Sequence, residues 1–160
     1  MAEKKPGDHA GGDRSIATNR KARHAYEIIE TVEAGLALIG SEIKSIRAGG
    51  VSLQEAFVAI DAGEAWLQGA HIAPYTHAGY AGHEPRRPRK LLLHRREIIA
   101  LAFQTRAKGM TLIPLRLYLK NGRAKLEIGL ARGKRQYDKR QAIRERETKR
   151  QVAREVSRRR

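Results

Sequence analysis

The chain offers little that could carry covalent or metal chemistry. It contains six histidines and 17 acidic residues but no cysteine, which excludes thiolate zinc sites and cysteine nucleophiles. His71, His77 and His83 share one stretch, but without cysteine or an i,i+4 helical pair they form a weak metal pattern. No acidic pair is spaced for general acid–base work, and neither a nucleophile elbow nor a phosphate-binding glycine loop occurs. The sequence therefore predicts no catalytic residue, no metal and no cofactor.

Phosphate neutralisation is the chemistry that the sequence does support. The segment 132–160 holds 13 Lys/Arg and 4 Asp/Glu, a net of +9 out of +16 for the whole chain. A compact body at that charge repels itself unless a counter-charged partner is present. Nucleic acid is the natural partner, because Lys and Arg displace its condensed counterions. The segment has strong helix formers and almost no apolar face, so we expect a tail that is disordered alone and becomes helical on RNA. The alternative is a solvated tail that only raises solubility.

A second basic motif lies near the other end of the chain. It spans Asn19–His24 and reads NRKARH. The planar ring of His24 among cations suits stacking on an unpaired base. The alternative is an exposed histidine beside charge, and spacing alone favours that alternative.

The hydrophobic pattern predicts short strands and helices. We expect strands over 26–39, with a bend at Ala34-Gly35, and over 51–60, which a turn at 61–63 joins to 65–69. Helices are predicted over 41–49, capped by Ser41, and over 94–108, followed by a C′ glycine at 109. Asn121-Gly122 predicts a type I′ hairpin between strands 111–120 and 123–130. The core face of that hairpin should comprise Leu115, Leu117, Leu119, Leu126 and Ile128.

These elements predict a mainly β protein, a small antiparallel barrel of the oligonucleotide-binding (OB) type with two or three short helices and a basic C-terminal tail. A β-sandwich is the alternative. We expect a disordered segment at 1–15, the barrel at 16–132 and the tail at 133–160. No apolar run approaches the roughly 20 residues that span a bilayer. The sequence thus favours a cytoplasmic monomer that does not contact membranes.

Several blocks of the chain, taken in order, closely resemble one known family. The blocks are 19–24 (NRKARH), 33–35 (EAG), 42–49 (EIKSIRAG), 71–75 (HIAPY), 89–94 (RKLLLH), and 129–134 (GLARGK) with 137–140 (YDKR). They resemble the SmpB family, the small bacterial proteins that bind transfer-messenger RNA. The resemblance runs from about residue 19 to residue 147. It implies an OB-type barrel that binds the tRNA-like domain of that RNA and delivers it to stalled ribosomes for trans-translation, peptide tagging and ribosome rescue.

The resemblance also implies which residues meet RNA and the small ribosomal subunit. Asn19, Glu33 and Leu92 match RNA-contact positions, with Lys90 beside the last, and His24 matches a position near the decoding centre. For Glu33 the alternative is a strand-face carboxylate paired with a surface lysine. The other candidate RNA-binding residues are basic, namely Arg20, Lys21, Arg23, Lys44 and Arg47. The candidate ribosome-binding residues of the tail are Arg132, Gly133, Lys134, Arg135, Tyr137, Asp138, Lys139 and Arg140.

Two other classes of function stay open on sequence alone. A ribosomal or ribosome-assembly protein with the same barrel and tail would bind ribosomal RNA tightly, with no preference for a tRNA-like fold. An enzyme acting on RNA would need clustered carboxylates to hold a metal, and the sequence contains no such cluster.

Overall fold

The computed structural model describes residues 13–76, 82–134 and 136–158. Within them lie nine strands and four helices. The strands are β1 (Arg14–Thr18), β2 (Tyr26–Leu36), β3 (Val51–Ser52), β4 (Phe57–Asp61), β5 (Glu64–Gln68), β6 (His71–Ile72), β7 (Arg89–Leu92), β8 (Met110–Lys120) and β9 (Arg123–Gly133). The helices are α1 (Arg20–Ala25), α2 (Gly40–Arg47), α3 (Arg95–Gln104) and α4 (Gln136–Arg158).

Six strands close into an antiparallel barrel. The order is β8-β4-β5-β7-β2-β9, and the pairing of β9 with β8 closes the ring. β8 reaches β4 through Val58 and Leu112, and further along the same strand it pairs with β1. β3 and β6 form a separate pair. The predicted mainly β fold is confirmed, and the closed sheet is consistent with an OB-like barrel rather than a sandwich.

The β8–β9 hairpin is the longest regular unit of the barrel. Asn121 and Gly122 have φ angles of 51° and 77°, as the predicted type I′ turn requires. The register of the pair shifts between Pro114 and Arg116, and a bulge is a position that tolerates a residue lacking an N–H. All five predicted core residues of the hairpin are buried.

The bulge divides these buried residues between two cores. The prediction of one face was wrong for Leu115, which packs with Ala22, Ile113 and Ala131 beneath α1. The other four predicted residues lie in the main core of the barrel. The extra residue shifts the side-chain alternation of β8, so the strand supports α1 with one part and fills the barrel with the other.

The predicted irregularity in β2 was misplaced. The register against β9 shifts between Ile28 and Glu30, not at Ala34-Gly35. Gly35 instead marks the point where β2 pairs with Lys125 of β9 and also with Leu92 of β7. A Cβ on Gly35 would lie 3.2 Å from the Cβ of Leu92, so the glycine allows a close approach of β7.

Other predicted boundaries also moved. The segment 51–60 forms two strands in different sheets, because residues 53–56 turn between β3 and β4. The hairpin between β4 and β5 is confirmed. α3 ends at Gln104 rather than at 108. The next residue, Thr105, donates its hydroxyl to the carbonyl of Leu101 at 2.9 Å. Gly109, with φ 80°, therefore precedes β8 instead of capping the helix.

The cap predicted for α2 was also wrong. The Glu42 carboxylate accepts from the backbone N–H of Ile39 at 3.1 Å, whereas Ser41 donates its hydroxyl to His83. Gly49 ends this helix region with φ 83°, as predicted.

The two ends of the chain bear on the predicted domain boundaries. β1 begins at Arg14, so the sheet starts two residues before the predicted barrel boundary at 16, and residues 1–12 lie outside the described residues. β9 runs to Gly133, and α4 follows as a helix of 23 residues. Both parts of the tail prediction, disorder in isolation and helix formation on the ribosome, stay predictions. None of the described helices has the length and apolar character needed to cross a membrane.

Candidate nucleic-acid interface

The β2–β9 pair separates the candidate residues into two groups. Tyr26 pairs with Gly133 at one end of β2, and Gly35 pairs with Lys125 at the other. At roughly 3.3 Å per strand residue the two ends are about 30 Å apart. We call the end around Glu33, Lys90 and Leu92 the groove. We call the end formed by α1 and residues 132–134 the tail pole.

The groove is a concave surface between β2, β7 and the first turn of α3. Its volume is about 1170 Å³, and Glu33, Lys90 and Leu92 all line it. Glu33 of β2 is distant in the sequence from Lys90 and Leu92 of β7, so the fold brings together what the sequence only suggested. Leu92 is 54% exposed, an unusual position for a leucine next to a core strand, and it offers an apolar surface in the groove wall.

The cations that line the groove form weak ion pairs or none among the described residues. Lys90 Nζ lies 3.1 Å from Glu64 Oε1, and both side chains are about half exposed. Arg95 and Lys125 also line the groove, and neither forms an ion pair within the described part of the chain. An exposed pair contributes only about 0–1 kcal/mol. A phosphate can therefore replace the carboxylate partner of Lys90 at little cost.

Glu33 is oriented by neighbours on β8. Its Oε2 accepts from the hydroxyl of Tyr118 and lies 3.7 Å from Lys120 Nζ. Burial, together with the Glu33 carboxylate, raises the pKa of the Tyr118 phenol, so Tyr118 stays a neutral donor at physiological pH. The alternative for Glu33, a strand-face carboxylate paired with a surface lysine, is thus met by Lys120. Both of these contacts use Oε2, which leaves Oε1 of this half-exposed carboxylate as the atom for RNA, and contact with RNA stays a prediction.

Asn19 has a structural role inside the fold, and its contact with RNA stays a prediction. It is 4% exposed, and its Nδ2 donates to the carbonyls of Leu53 and Pro114 at 3.2 and 3.0 Å. Its Oδ1 accepts from the N–H of Ala22 at 3.2 Å, which makes it the N-cap of α1. These bonds use the side chain inside the fold. Asn19 positions α1, and the N-cap pattern was the signal that sequence reasoning missed.

The basic residues of α1 form the exposed part of the tail pole. Arg20, Lys21 and Arg23 are exposed and His24 is half-buried. Arg146 of α4 donates from Nη2 to His24 Nδ1 at 3.4 Å, so the ring lies against the tail helix. His24 therefore lies near cations in the sequence, where Arg23 precedes it, and also near Arg146 in the fold.

The start of the tail is attached to the same pole. The backbone N–H of Lys134 donates to the carbonyl of Ala25 at 3.1 Å, and its Nζ lies 3.5 Å from the carbonyl of Arg23. Arg132 Nη2 lies 3.2 Å from Glu27 Oε2. Gly133 is exposed at the end of β9, and Arg140 is exposed on α4. Arg135 and the side chains of Tyr137, Asp138 and Lys139 lie outside what the structure describes.

The two candidate residues on α2 belong to neither group. Lys44 Nζ lies 5.4 Å from the centre of the Tyr75 ring, a cation–π contact, and Arg47 is exposed. The structure does not join them to α1 or to Glu33 and Leu92 among the contacts that it describes. Their part in RNA binding stays a prediction.

A buried ionic cluster holds β7 in place, and sequence reasoning missed it. Glu42 and Arg89 are both fully buried and paired, and Arg87 Nε donates to Glu42 Oε1 at 2.9 Å. Arg89 also donates to the carbonyls of Ala70 and Pro85 at 2.8 and 3.0 Å. Burial disfavours the charged carboxylate, but the hydrogen bonds from Arg87 and Arg89 outweigh it and lower the pKa of Glu42. Because Lys90 follows Arg89 directly, this cluster sets the position of the groove wall.

One of the three histidines that hinted at a metal, His83, has other partners. His83 is buried, its Nε2–H donates to the carbonyl of Ile72 at 3.0 Å, and its Nδ1 accepts from the Ser41 hydroxyl at 2.8 Å. His77 lies outside the described residues. Among the described residues, no group of three or more His, Cys, Asp or Glu side chains could hold a metal ion.

Comparison with known proteins decides the family. The family model described as SmpB protein matches residues 16–158. The chain belongs to the SmpB family. A curated SmpB-family relative from Thermobifida fusca, named SsrA-binding protein, is 57% identical over 160 residues, which is 100% of both chains. Another of the same name, from Roseiflexus sp., is 61% identical over 148 residues, or 92% of this chain and 94% of the relative.

A solved structure agrees with the SmpB assignment. It is described as "tmRNA-SmpB: a journey to the center of the bacterial ribosome". Its chain is 48% identical to this one and superposes with a TM-score of 0.65 over 81% of this chain and 95% of that chain. The family model and the structural superposition thus both indicate the SmpB fold.

Proposed function

We propose that this protein binds the tRNA-like domain of transfer-messenger RNA and delivers that RNA to stalled ribosomes for trans-translation, peptide tagging and ribosome rescue. The names of its relatives support this proposal, as does the matching structure, which is described as tmRNA-SmpB and the bacterial ribosome. The protein acts by binding rather than by catalysis, as a cytoplasmic monomer with no cofactor. Its partners are transfer-messenger RNA and the small ribosomal subunit with its RNA.

The observation that carries the proposal is the separation of the groove from the tail pole. The groove combines an exposed leucine, an oriented carboxylate and replaceable cations in a preformed concave surface. Such a surface suits recognition of a folded RNA by its shape. The tail pole offers exposed cations on α1 and on a long basic helix. Such a surface suits the ribosome, where dense phosphate neutralises the repulsion among cations.

The division of labour follows the predicted domains. Residues 16–132 hold the groove, which binds the tRNA-like domain, and residues 133–160 act on the ribosome together with α1. The contact between Arg146 and His24 supports a tail that works together with α1. Residues 135–140 connect the two parts.

The experiment is a salt-titrated competition with the purified full chain. The labelled ligand is the tRNA-like domain, and the competitors are elongator tRNA and ribosomal RNA fragments of equal length. Non-specific binding through roughly 6–10 phosphate contacts loses about 10³–10⁵ in affinity between about 50 and 200 mM salt. A preference that persists at high salt supports the proposal. Equal collapse for all three RNAs contradicts it and favours a general ribosomal RNA binder.

A further inference from the structure

Helix α3 is apolar on both of its long faces. Ile98 lines the groove and Leu101 is buried in the barrel core. On the opposite side Ile99 is 60% exposed and Phe103 is 72% exposed. These two side chains are four residues apart and therefore adjacent on the helix surface. An exposed apolar patch with polar residues at its rim marks an interaction surface, so the outward face of α3 is suited to a partner.

Unpaired cations surround this outward face. Arg95 and Arg96 lie at the start of α3, and Arg106 and Lys108 follow its end; all four are exposed. None of them forms an ion pair with another described residue. The nearby carboxylate of Glu97 accepts from the backbone N–H of His94 at 2.9 Å. The partner should therefore combine negative charge with a flat apolar surface.

Continuity with the groove favours RNA over an acidic protein segment. His94, Arg95, Glu97 and Ile98, all in or beside the first turn of α3, line the groove. An RNA that occupies the groove must pass this turn. α3 has ten residues, and at about 1.5 Å per residue it is roughly 15 Å long. The outward face is the next surface that the RNA meets, within reach of a few nucleotides.

We propose that the outward face of α3 binds an unpaired nucleotide of the RNA held in the groove. The ring of Phe103 stacks on the base, Ile99 packs against its edge, and Arg96 and Arg106 neutralise the flanking phosphates. This inference rests on the proposed function and adds to it a specific stacking contact. Stacking requires a base that is free of its own helix, so the contact should be lost on a continuous duplex.

The test compares two RNAs and a series of substitutions at one position. One RNA is the tRNA-like domain with its loop nucleotides unpaired, and the other is the same domain with that loop closed into a continuous stem. The variants are Phe103→Ala, Phe103→Leu and Phe103→Trp. Phe57→Ala is the matched control, because Phe57 is the other phenylalanine of the chain and is 46% exposed on β4. Thermal melts check that each variant folds.

The expected result depends on an aromatic ring at position 103. Phe103→Ala should weaken binding of the open-loop RNA roughly 10-fold, as loss of one stacked base does. Phe103→Leu should lose nearly as much, whereas Phe103→Trp should bind at least as tightly as the original chain. Phe57→Ala should not change the affinity. On the closed-stem RNA all variants should bind alike.

Three results would overturn the inference. Equal binding of the open-loop RNA by Phe103→Ala and the original chain would show that α3 does not stack. Full binding by Phe103→Leu would show that apolar area matters and not the ring. A monomerising effect of Phe103→Ala in sedimentation velocity would assign the face to a second copy of the chain. If the original chain itself shows no preference for the tRNA-like domain, the proposed function fails, and with it this inference.

Discussion

The groove and the tail pole differ in how the chain builds them. The groove draws Glu33 from β2 and both Lys90 and Leu92 from β7, and the buried Glu42–Arg89 pair fixes one wall. The tail pole uses consecutive residues of α1 and a helix whose side chains are largely exposed. A surface assembled from distant strands has a fixed shape, whereas an exposed basic helix mainly supplies charge. Changes to the shape or apolar surface of the groove should therefore alter specificity, and changes in the tail should alter what happens after RNA is bound.

Removal of the tail should produce the largest effect. A chain that ends after Lys134 keeps the hydrogen bond between Lys134 and Ala25 and loses all of α4. We expect binding of the tRNA-like domain to stay within a few-fold of the original, and tagging of stalled ribosomes to be abolished. Filter binding and a reconstituted tagging assay measure the two. Equal loss of both activities would refute the division into two parts.

Breaking the buried ionic cluster should come next. Glu42→Gln leaves Arg89 buried without its counter-charge, which costs about 3–5 kcal/mol of unfolding free energy. Glu64→Gln is the control, because Glu64 forms an exposed pair with Lys90 and should cost less than about 1 kcal/mol. Urea denaturation compares the two variants. Similar stabilities would mean that the cluster does not hold β7.

The same carboxylate predicts how stability depends on pH. The pKa of Glu42 is lowered from its ordinary value of 4.5 in the folded protein. Its contribution is therefore fully present above about pH 4.5 and is lost as the pH falls through the lower folded-state pKa. Denaturant midpoints measured from neutral to acidic pH should fall less steeply for Glu42→Gln than for the original chain. Parallel curves would assign acid sensitivity to other groups.

A charge placed in the groove wall should reduce specific binding. Leu92→Asp puts a carboxylate where RNA is expected, and since Leu92 is 54% exposed the fold should tolerate it. We expect a roughly 10- to 100-fold loss for the tRNA-like domain, from charge repulsion and lost apolar contact. Ile29→Asp is the control, because Ile29 is 50% exposed at the bulge of β2, away from the groove lining. Comparable losses for both variants would mean that only net charge matters.

Single cations of the groove should have the smallest effect. Lys90→Ala and Lys125→Ala each remove one possible phosphate contact. Each should weaken binding alike for all RNAs and reduce the salt slope by about 1. A loss confined to the tRNA-like domain, with an unchanged slope, would instead show that these lysines read a specific feature of the RNA.

Patterns over a few consecutive residues predicted those parts of the fold that depend on residues close in the sequence. The Asn121-Gly122 turn, the alternation in β9 and the β4–β5 hairpin are confirmed, since each depends on residues close in sequence. The bulge at Leu115 was missed, because it matters only where β8 must serve two cores. The structural role of Asn19 was missed for a similar reason, as two of its partners lie far away in the sequence.

The sequence predicted which residues line the groove, but not the buried ionic cluster that holds its wall. The resemblance to SmpB pointed to Glu33, Lys90 and Leu92, and the fold places them together. The link from Glu42 to Arg87 and Arg89 was not visible, because a run of basic residues in a sequence reads equally well as exposed surface. Burial distinguishes the two, and burial is set by packing across the whole domain.

The most direct test of separate groove and tail functions uses saturating RNA. Tagging of stalled ribosomes is measured for Leu92→Asp and for the chain ending after Lys134, as the concentration of transfer-messenger RNA is raised well above the Kd of the weaker binder. If the groove only captures RNA and the tail acts on the ribosome, excess RNA should restore tagging by Leu92→Asp and leave the truncated chain inactive. Restoration of both, or of neither, would contradict the account.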